Sequence, residues 1–268
     1  MNFIAVTAAM TATVLLTCYG YGKDTVMSNA NEDNKPYSWY CKTNKQHLPP
    51  ELPSEFSFIK EEEGYYLDTE VPEGERVIYL TFDVGYENGN VETILNVLKE
   101  HKAPAAFFVL GNLVIKNTAL LTRMYDEGHL VCNHTSRHPD MSKKTSKEEF
   151  EGELARLNTL LYEYCGQQAA PFYRPPEGRF SRSNLRFARE CGYKTVFWSY
   201  AYADWDNGKQ MSREKALQKL KDHTHNGEVL LLHPTSSTNA AILDEYLCYL
   251  EAEGYSFGTL YALTENQG

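Results

Sequence analysis

The stretch Val77-Ile-Tyr-Leu-Thr-Phe-Asp-Val-Gly-Tyr-Glu-Asn-Gly89 sets how the rest of the chain is read. Its first six residues are all apolar, β-branched or aromatic, the composition of a buried strand. The run stops on a carboxylate, Asp83, and turns through Gly85 and Gly89 into a helix-like pattern. An acid in that place lies at the carboxyl edge of a sheet, where open α/β sheets and βα barrels carry their chemistry. It is equally the place of a surface Asp that caps the next helix, and this stretch alone weighs the two readings evenly.

The same alternation continues along the chain. Strand-like runs fall at 77–82, 105–110, 129–133, 172–174, 194–199, 228–233 and 255–260. Helix-like segments lie between them, near 91–101, 117–127, 147–165, 181–191, 212–223 and 239–253. The segment 147–165 is the best signalled. Ser146-Lys-Glu-Glu149 has the form of a capping box, Phe150, Leu154, Leu157, Leu161 and Tyr164 come next at helical spacing, and Gly166 stops the run. Successive βα units predict a parallel sheet, open or closed into a small barrel.

Composition narrows the function. The chain has 268 residues, 42% of them hydrophobic, enough for a substantial core. A net charge of −10 leaves no basic excess to meet phosphates, so a nucleic-acid partner is not expected. The 19 tyrosines suit sugar stacking but are also ordinary core and surface material. Six cysteines are scattered without a C-x-x-C pair, so a thiolate zinc cluster is not expected and free thiols are the default.

The first residues are apolar or small, and Lys23 is the first charged side chain. Residues 1–24 therefore read as an export signal or a membrane anchor. Leu15-Leu-Thr-Cys18 resembles a lipobox, with Cys18 as the residue that would be lipidated. Residues 25–75 are rich in proline and charge and read as an irregular extension that wraps or tethers. Within it, Tyr37-Ser-Trp-Tyr40 is aromatic enough to dock on the main body.

The residues just past each strand carry the chemistry. Asp83 ends the first strand, and Asn133-His-Thr-Ser-Arg-His-Pro139 comes after the third. Arg174-Pro-Pro-Glu-Gly178 comes after the fourth, Ala203-Asp-Trp-Asp206 after the fifth, and His233 after the sixth. Titratable groups on one rim are the mark of a catalytic site. His134 and His138 stand at i, i+4; on a helical turn they would face one way and could share a metal with Asp83. Two imidazoles and an oxygen suit Zn²⁺ with an open position. The plainer reading is two unrelated surface histidines. Prolines after Arg174 would fix its guanidinium, which would keep a neighbouring carboxylate ionised; otherwise it is a surface salt bridge. His233 could supply a proton near neutral pH or be a hydrogen-bonded core histidine. Trp205 offers an apolar wall or a sugar-stacking face.

Taken in order, these residues resemble the polysaccharide deacetylase family of carbohydrate esterases, the NodB homology type. Thr81-Phe-Asp-Val-Gly85 stands for T-F-D-D-G, His134-Thr-Ser-Arg-His138 for H-[S/T]-x-x-H, and Arg174-Pro-Pro-Glu-Gly178 for R-x-P-x-G. Asp204-Trp205 and Leu231-Leu-His233 stand for the last two motifs. The resemblance covers roughly 75–262 and implies a NodB homology domain over 76–262 with a distorted (β/α)7 barrel. Gly85-Tyr-Glu-Asn-Gly89 and Trp198-Ser-Tyr-Ala-Tyr-Ala-Asp-Trp205 are similar to the delta-lactam-forming de-N-acetylases of spore-forming bacteria. That branch implies removal of acetyl from N-acetylmuramic residues of peptidoglycan, after which the amine closes a muramic lactam in spore cortex.

The resemblance also implies roles. Asp83 would be the base, Arg174 its orienting partner, His233 the acid and Asp204 a holder of His233 or Arg174. His134, His138 and Asp83 would hold a divalent cation, Zn²⁺ first, with Co²⁺, Mg²⁺ or Mn²⁺ as alternatives. Trp205 and Tyr86 would contact substrate. The implied protein is an exported, extracytoplasmic monomer that meets a peptidoglycan strand and touches membrane only through its N-terminal segment. One departure matters: the family's second Asp, a metal ligand, is Val84 here, and the lactam-forming branch typically has Asn there. Two alternatives stay open: a deacetylase of a chitin- or xylan-type polymer, or a non-catalytic glycan-binding relative.

Overall fold

The structure, a computed structural model, describes residues 33–267. The leader reading of 1–24 and Cys18 lie outside the described residues. Among the described residues, no helix is long and apolar enough to cross a membrane.

Strands β3 (Val77–Val84), β4 (Ala105–Val109), β5 (Leu130–Asn133), β6 (Ala170–Tyr173) and β8 (Lys194–Val196) lie side by side in chain order. On the other flank of β3 come β10 (Glu228–Leu232) and β9 (Tyr200–Ala201). Every pairing in this sheet is parallel. Three residues separate β8 from β9, yet the two strands sit at opposite ends of the order. The segment 194–201 thus bonds to β6 at its start and to β10 at its end, and the sheet curls into the distorted barrel.

Strand alternation sorts the side chains. Ile78, Leu80, Phe82 and Val84 pack outward with the helices Asn90–Glu100, Arg213–His223 and Ser237–Ala252. Tyr79 packs inward with Phe108, Phe172 and Val229. Thr81 and Asp83 share that inner face by register. Val84, which stands where the family has a metal-binding Asp, is buried in the outer apolar layer.

Expected and observed elements agree closely, with informative differences. The Ser146–Glu149 cap forms on one side, with Ser146 Oγ accepting from Glu149 N–H at 3.3 Å. The reciprocal capping box forms at Ser181 and Asn184 instead. The last expected strand, 255–260, is only β11 (Ser256–Phe257), and Leu260–Glu265 is a helix. The helix Gly111–Lys116 has no counterpart in the hydrophobic pattern because it has only 6 residues, fewer than two turns, beside β4.

The extension is more ordered than its composition suggests. Ser54–Glu62 is a 3-10 helix, and β2 (Gly64–Tyr65) adds a strand beside β8. Tyr37–Ser38, β1, pairs with β7 (Arg179–Phe180). Trp39 stacks on Phe197 with ring centroids 4.3 Å apart, and its indole N–H donates to the Trp198 carbonyl. The five described cysteines are free thiols; Cys132 is buried and Cys248 exposed.

Candidate active site

The carboxyl ends of these strands open on a cavity of about 630 Å³. Asp83, His134, His138, Trp198, Trp205 and His233 are among its lining residues. Two carboxylate clamps form its floor.

The first clamp holds Asp83. Arg174 is fully buried, and each part of its guanidinium has a partner. Nη1 donates to Asp83 Oδ1 at 2.8 Å, Nη2 to Thr81 Oγ1 at 2.9 Å and to the Phe197 carbonyl at 3.1 Å, and Nε to the Val196 carbonyl at 2.9 Å. The guanidinium lies 4.1 Å over the Phe108 ring. Burial works against ionisation of Asp83, but the charge and hydrogen bond of Arg174, with a further contribution from His233, outweigh it and hold the carboxyl below its usual range. The helix-cap reading of Asp83 is excluded, because Asp83 is the penultimate residue of β3 and its partners lie inside the barrel.

The second clamp holds His233. Asp204 is 2% exposed and accepts from His233 Nδ1 at 2.8 Å and from the His233 N–H at 2.7 Å. Asn239 donates from Nδ2 to Asp204 Oδ2 at 2.6 Å and to the His233 carbonyl at 3.1 Å. Tyr202 donates from its hydroxyl to Asn239 Oδ1. With Nδ1 engaged, Nε2 is the imidazole nitrogen left for the cavity. Burial disfavours the charged imidazolium, yet the Asp204 contacts outweigh it and raise the His233 pKa above its ordinary 6.5. Asp204 therefore serves His233 rather than Arg174.

His134 and His138 differ from each other. His134 Nδ1 lies 2.9 Å from the Arg174 carbonyl, a bond that requires the proton on Nδ1. Nε2 is then bare, 3.5 Å from Asp83 Oδ2. Burial pushes the His134 pKa down to about 4, which keeps the ring neutral. His138 is exposed. The segment between them is not helical: Thr135 has φ 70° and His138 φ 59°. This bend still brings the two rings to 5.1 Å between centroids. The helical premise of the His-x-x-x-His reading is thus replaced by a left-handed bend, held by Asn133 Oδ1 on the Thr135 N–H and Thr135 Oγ1 on the His138 N–H.

A divalent cation fits this donor set by chemistry. His134 has the tautomer of a metal-ligating histidine, with Nδ1 pinned to a carbonyl and Nε2 turned to a carboxylate. The three donors of Asp83, His134 and His138 do not, however, all lie within 4.8 Å of one another; among the described residues only His101, Asp244 and Cys248 do.

The two residues expected to contact substrate stand at the rim. Trp205 is 61% exposed, with its ring centroid 6.3 Å from that of His233, and Tyr86 is 44% exposed, its hydroxyl accepting from Asn207 Nδ2. Thr81, Tyr202 and Asn239 have no role in the sequence reading. Thr81 sits inside the first motif and Asn239 six residues after His233, so position relative to the motifs was the available signal. Gly178 has φ 64°, and a Cβ there would meet Trp198 and the Trp39 Cβ at 2.9 Å, so the Arg174 loop and the docked extension close on a glycine.

The family model for polysaccharide deacetylases matches residues 70–196. The peptidoglycan-N-acetylmuramic acid deacetylase PdaA of Bacillus subtilis is 38% identical over 228 residues, 85% of each chain. The solved structure of Bacillus subtilis PdaA, a family 4 carbohydrate esterase, superposes with a TM-score of 0.82 at 36% identity, covering 88% of this chain and 99% of that one. A family 4 pseudoenzyme from Bacillus anthracis matches with a TM-score of 0.67 at 26% identity, over 76% of this chain and 69% of that one.

Proposed function

The chain belongs to the polysaccharide deacetylase family, the family 4 carbohydrate esterases, and is a hydrolase of N-acetyl amide bonds; on that basis we propose that it deacetylates N-acetylmuramic residues of peptidoglycan. The observation that carries the chemistry is the pair of clamps on one cavity: a carboxylate held ionised by Arg174, and an imidazole held protonated by Asp204. Asp83 takes a proton from water as the oxygen attacks the acetyl carbon. A backbone N–H after the first motif steadies the oxyanion. His233 Nε2 then protonates the sugar nitrogen as the carbon–nitrogen bond breaks, because an amide nitrogen leaves poorly as an anion. Acetate and a free amine result. Asp83 lies within 3.5 Å of His134 and Arg174 keeps it from swinging away. Trp205 and Tyr86 receive the sugar at the rim.

Deacetylases of this family are generally metal-dependent. A divalent cation on His134, His138 and Asp83, with Zn²⁺ matching the donors best and Co²⁺, Mg²⁺ or Mn²⁺ as alternatives, would supply Lewis acidity to the water and the amide oxygen. The muramic preference is supported by the similarity to PdaA and by the motifs shared with the lactam-forming branch. In spore cortex the freed amine would close on the lactyl carboxyl. The same reading has the domain 76–262 act outside the cytoplasm, as a monomer, with residues 1–24 as an export signal or membrane anchor and the only part that touches membrane.

The test is acetate release from peptide-stripped peptidoglycan and from defined muramic and glucosaminic oligomers. Release from muramic residues is the expected result. No acetate with Zn²⁺, Co²⁺ or Mg²⁺ added would overturn the deacetylase reading, and release only from chitin- or xylan-type oligomers would move the substrate. The second reading, a non-catalytic glycan binder, is favoured by one feature, Val84 in place of a ligating Asp; glycan binding without bound metal or acetate release would select it.

A further inference from the structure

A second cluster of ligating side chains lies on the outer surface, on the helices and away from the cavity. His101 closes the helix Asn90–Glu100, and its side chain is only 9% exposed. It faces Asp244, Cys248 and Glu251 on the helix Ser237–Ala252. Asp244 and Cys248 are four residues apart, so one helix face presents both. His101 Nε2 lies 3.1 Å from Asp244 Oδ1, and the ligating atoms of His101, Asp244 and Cys248 all fall within 4.8 Å of one another. His101 Nδ1 lies 2.9 Å from Glu251 Oε1. That is the arrangement of a metal-binding histidine, in which a carboxylate holds one ring nitrogen and turns the other to the ion.

We propose that His101 Nε2, Asp244 and Cys248 form a second divalent-cation site, with Glu251 orienting the imidazole. The donor chemistry selects the ion. Nitrogen, carboxylate and thiolate together suit Zn²⁺ or a similar borderline ion rather than Mg²⁺ or Ca²⁺, and leave a fourth position for water. The thiol of Cys248 gives up its proton to solvent on binding. The position suggests the purpose. At their other ends the same two helical segments are tied by Asn88 and Asn90, which both donate to the Thr235 carbonyl at 2.9 Å, next to His233. The ion would tie them a second time, behind the cavity.

Thiolate ligation separates this site from the catalytic one, which contains no cysteine. The full chain, reduced and freed of metal, is titrated with Co²⁺ while its near-ultraviolet spectrum is followed. The expected result is a cobalt–thiolate charge-transfer band that survives His134→Ala and is lost in Cys248→Ser, with one fewer equivalent of Zn²⁺ retained on dialysis in that variant. Cys248→Ser keeps wild-type acetate release in excess Zn²⁺. The absence of the band in the wild type, or its persistence in Cys248→Ser, overturns the proposal. Because the readout is spectroscopic, a failed deacetylase assay leaves it standing or falling on its own.

Discussion

The floor of the cavity and its rim are built on different principles. Asp83, Arg174 and Asp204 are 8%, 0% and 2% exposed, and each has partners on separate strands or loops. Trp205 and Tyr86 are 61% and 44% exposed, and His138 sits on an exposed bend. A buried charge must be paired and hydrogen-bonded to exist at all, so the floor is over-determined. An exposed aromatic is held by little and can accommodate a polymer. On the proposed function, the floor would set what reaction is possible and the rim which sugar arrives.

Mutation can test this contrast, beginning at the floor. Asp83→Asn keeps the shape of the group and removes the base. Acetate release is expected to fall about a thousandfold, and activity within tenfold of wild type would remove Asp83 from the mechanism. Arg174→Met would leave the Asp83 carboxylate buried without its partner. Unfolding in urea is expected to show a loss of about 3–5 kcal/mol, whereas Thr81→Val should cost only about 1 kcal/mol. Equal losses in the two variants would show that the ion pair is not the main support.

Asn239→Ala acts through Asp204 and His233, one step removed from the reacting atoms. About tenfold lower kcat with unchanged KM is expected, the size of one lost charge-assisted hydrogen bond. The pH profile gives a second readout. Asp83 is held below its usual range, so its active, ionised form persists into acid. His233 is raised above its ordinary value by Asp204, so its active, protonated form persists to higher pH than that of a free imidazole. The profile should therefore be a broad plateau between these limits, and Asp204→Asn should bring the alkaline limb down in pH while leaving the acid limb in place. A limb that does not move would assign that titration to another group. At the rim, Trp205→Ala should raise KM a few-fold and leave kcat and thermal stability alone. A large loss of kcat there would mean that the rim helps position the reacting bond.

Much of this was legible before folding. Asp83, His134, Arg174, Asp204 and His233 stand at or just past strand ends, and strand ends can be read from hydrophobic runs and their stops. The helix Lys147–Cys165 agrees to the residue because its cap, its periodicity and Gly166 all point the same way. Short elements were less legible. Residues 54–65 read as irregular because a 3-10 helix and a two-residue strand carry too few side chains for a pattern; their order comes from Trp39 and Phe56 packing on Phe180 and Phe197. The helical spacing of His134 and His138 predicts adjacent rings, and the rings do adjoin, but through a bend held by Asn133 and Thr135 rather than through a helical turn.

The βα alternation, the order of the motifs and the residue types at one rim are all written in the chain itself, since they depend on local periodicity and on the residues that end each run. The partner of each charge came only with the tertiary fold. Asp204 meets His233, Arg174 meets both Asp83 and Thr81, Val84 faces the helices, and His101 meets Asp244, Cys248 and Glu251. Such contacts join residues far apart in the chain through strand register and helix packing, and no local pattern encodes them.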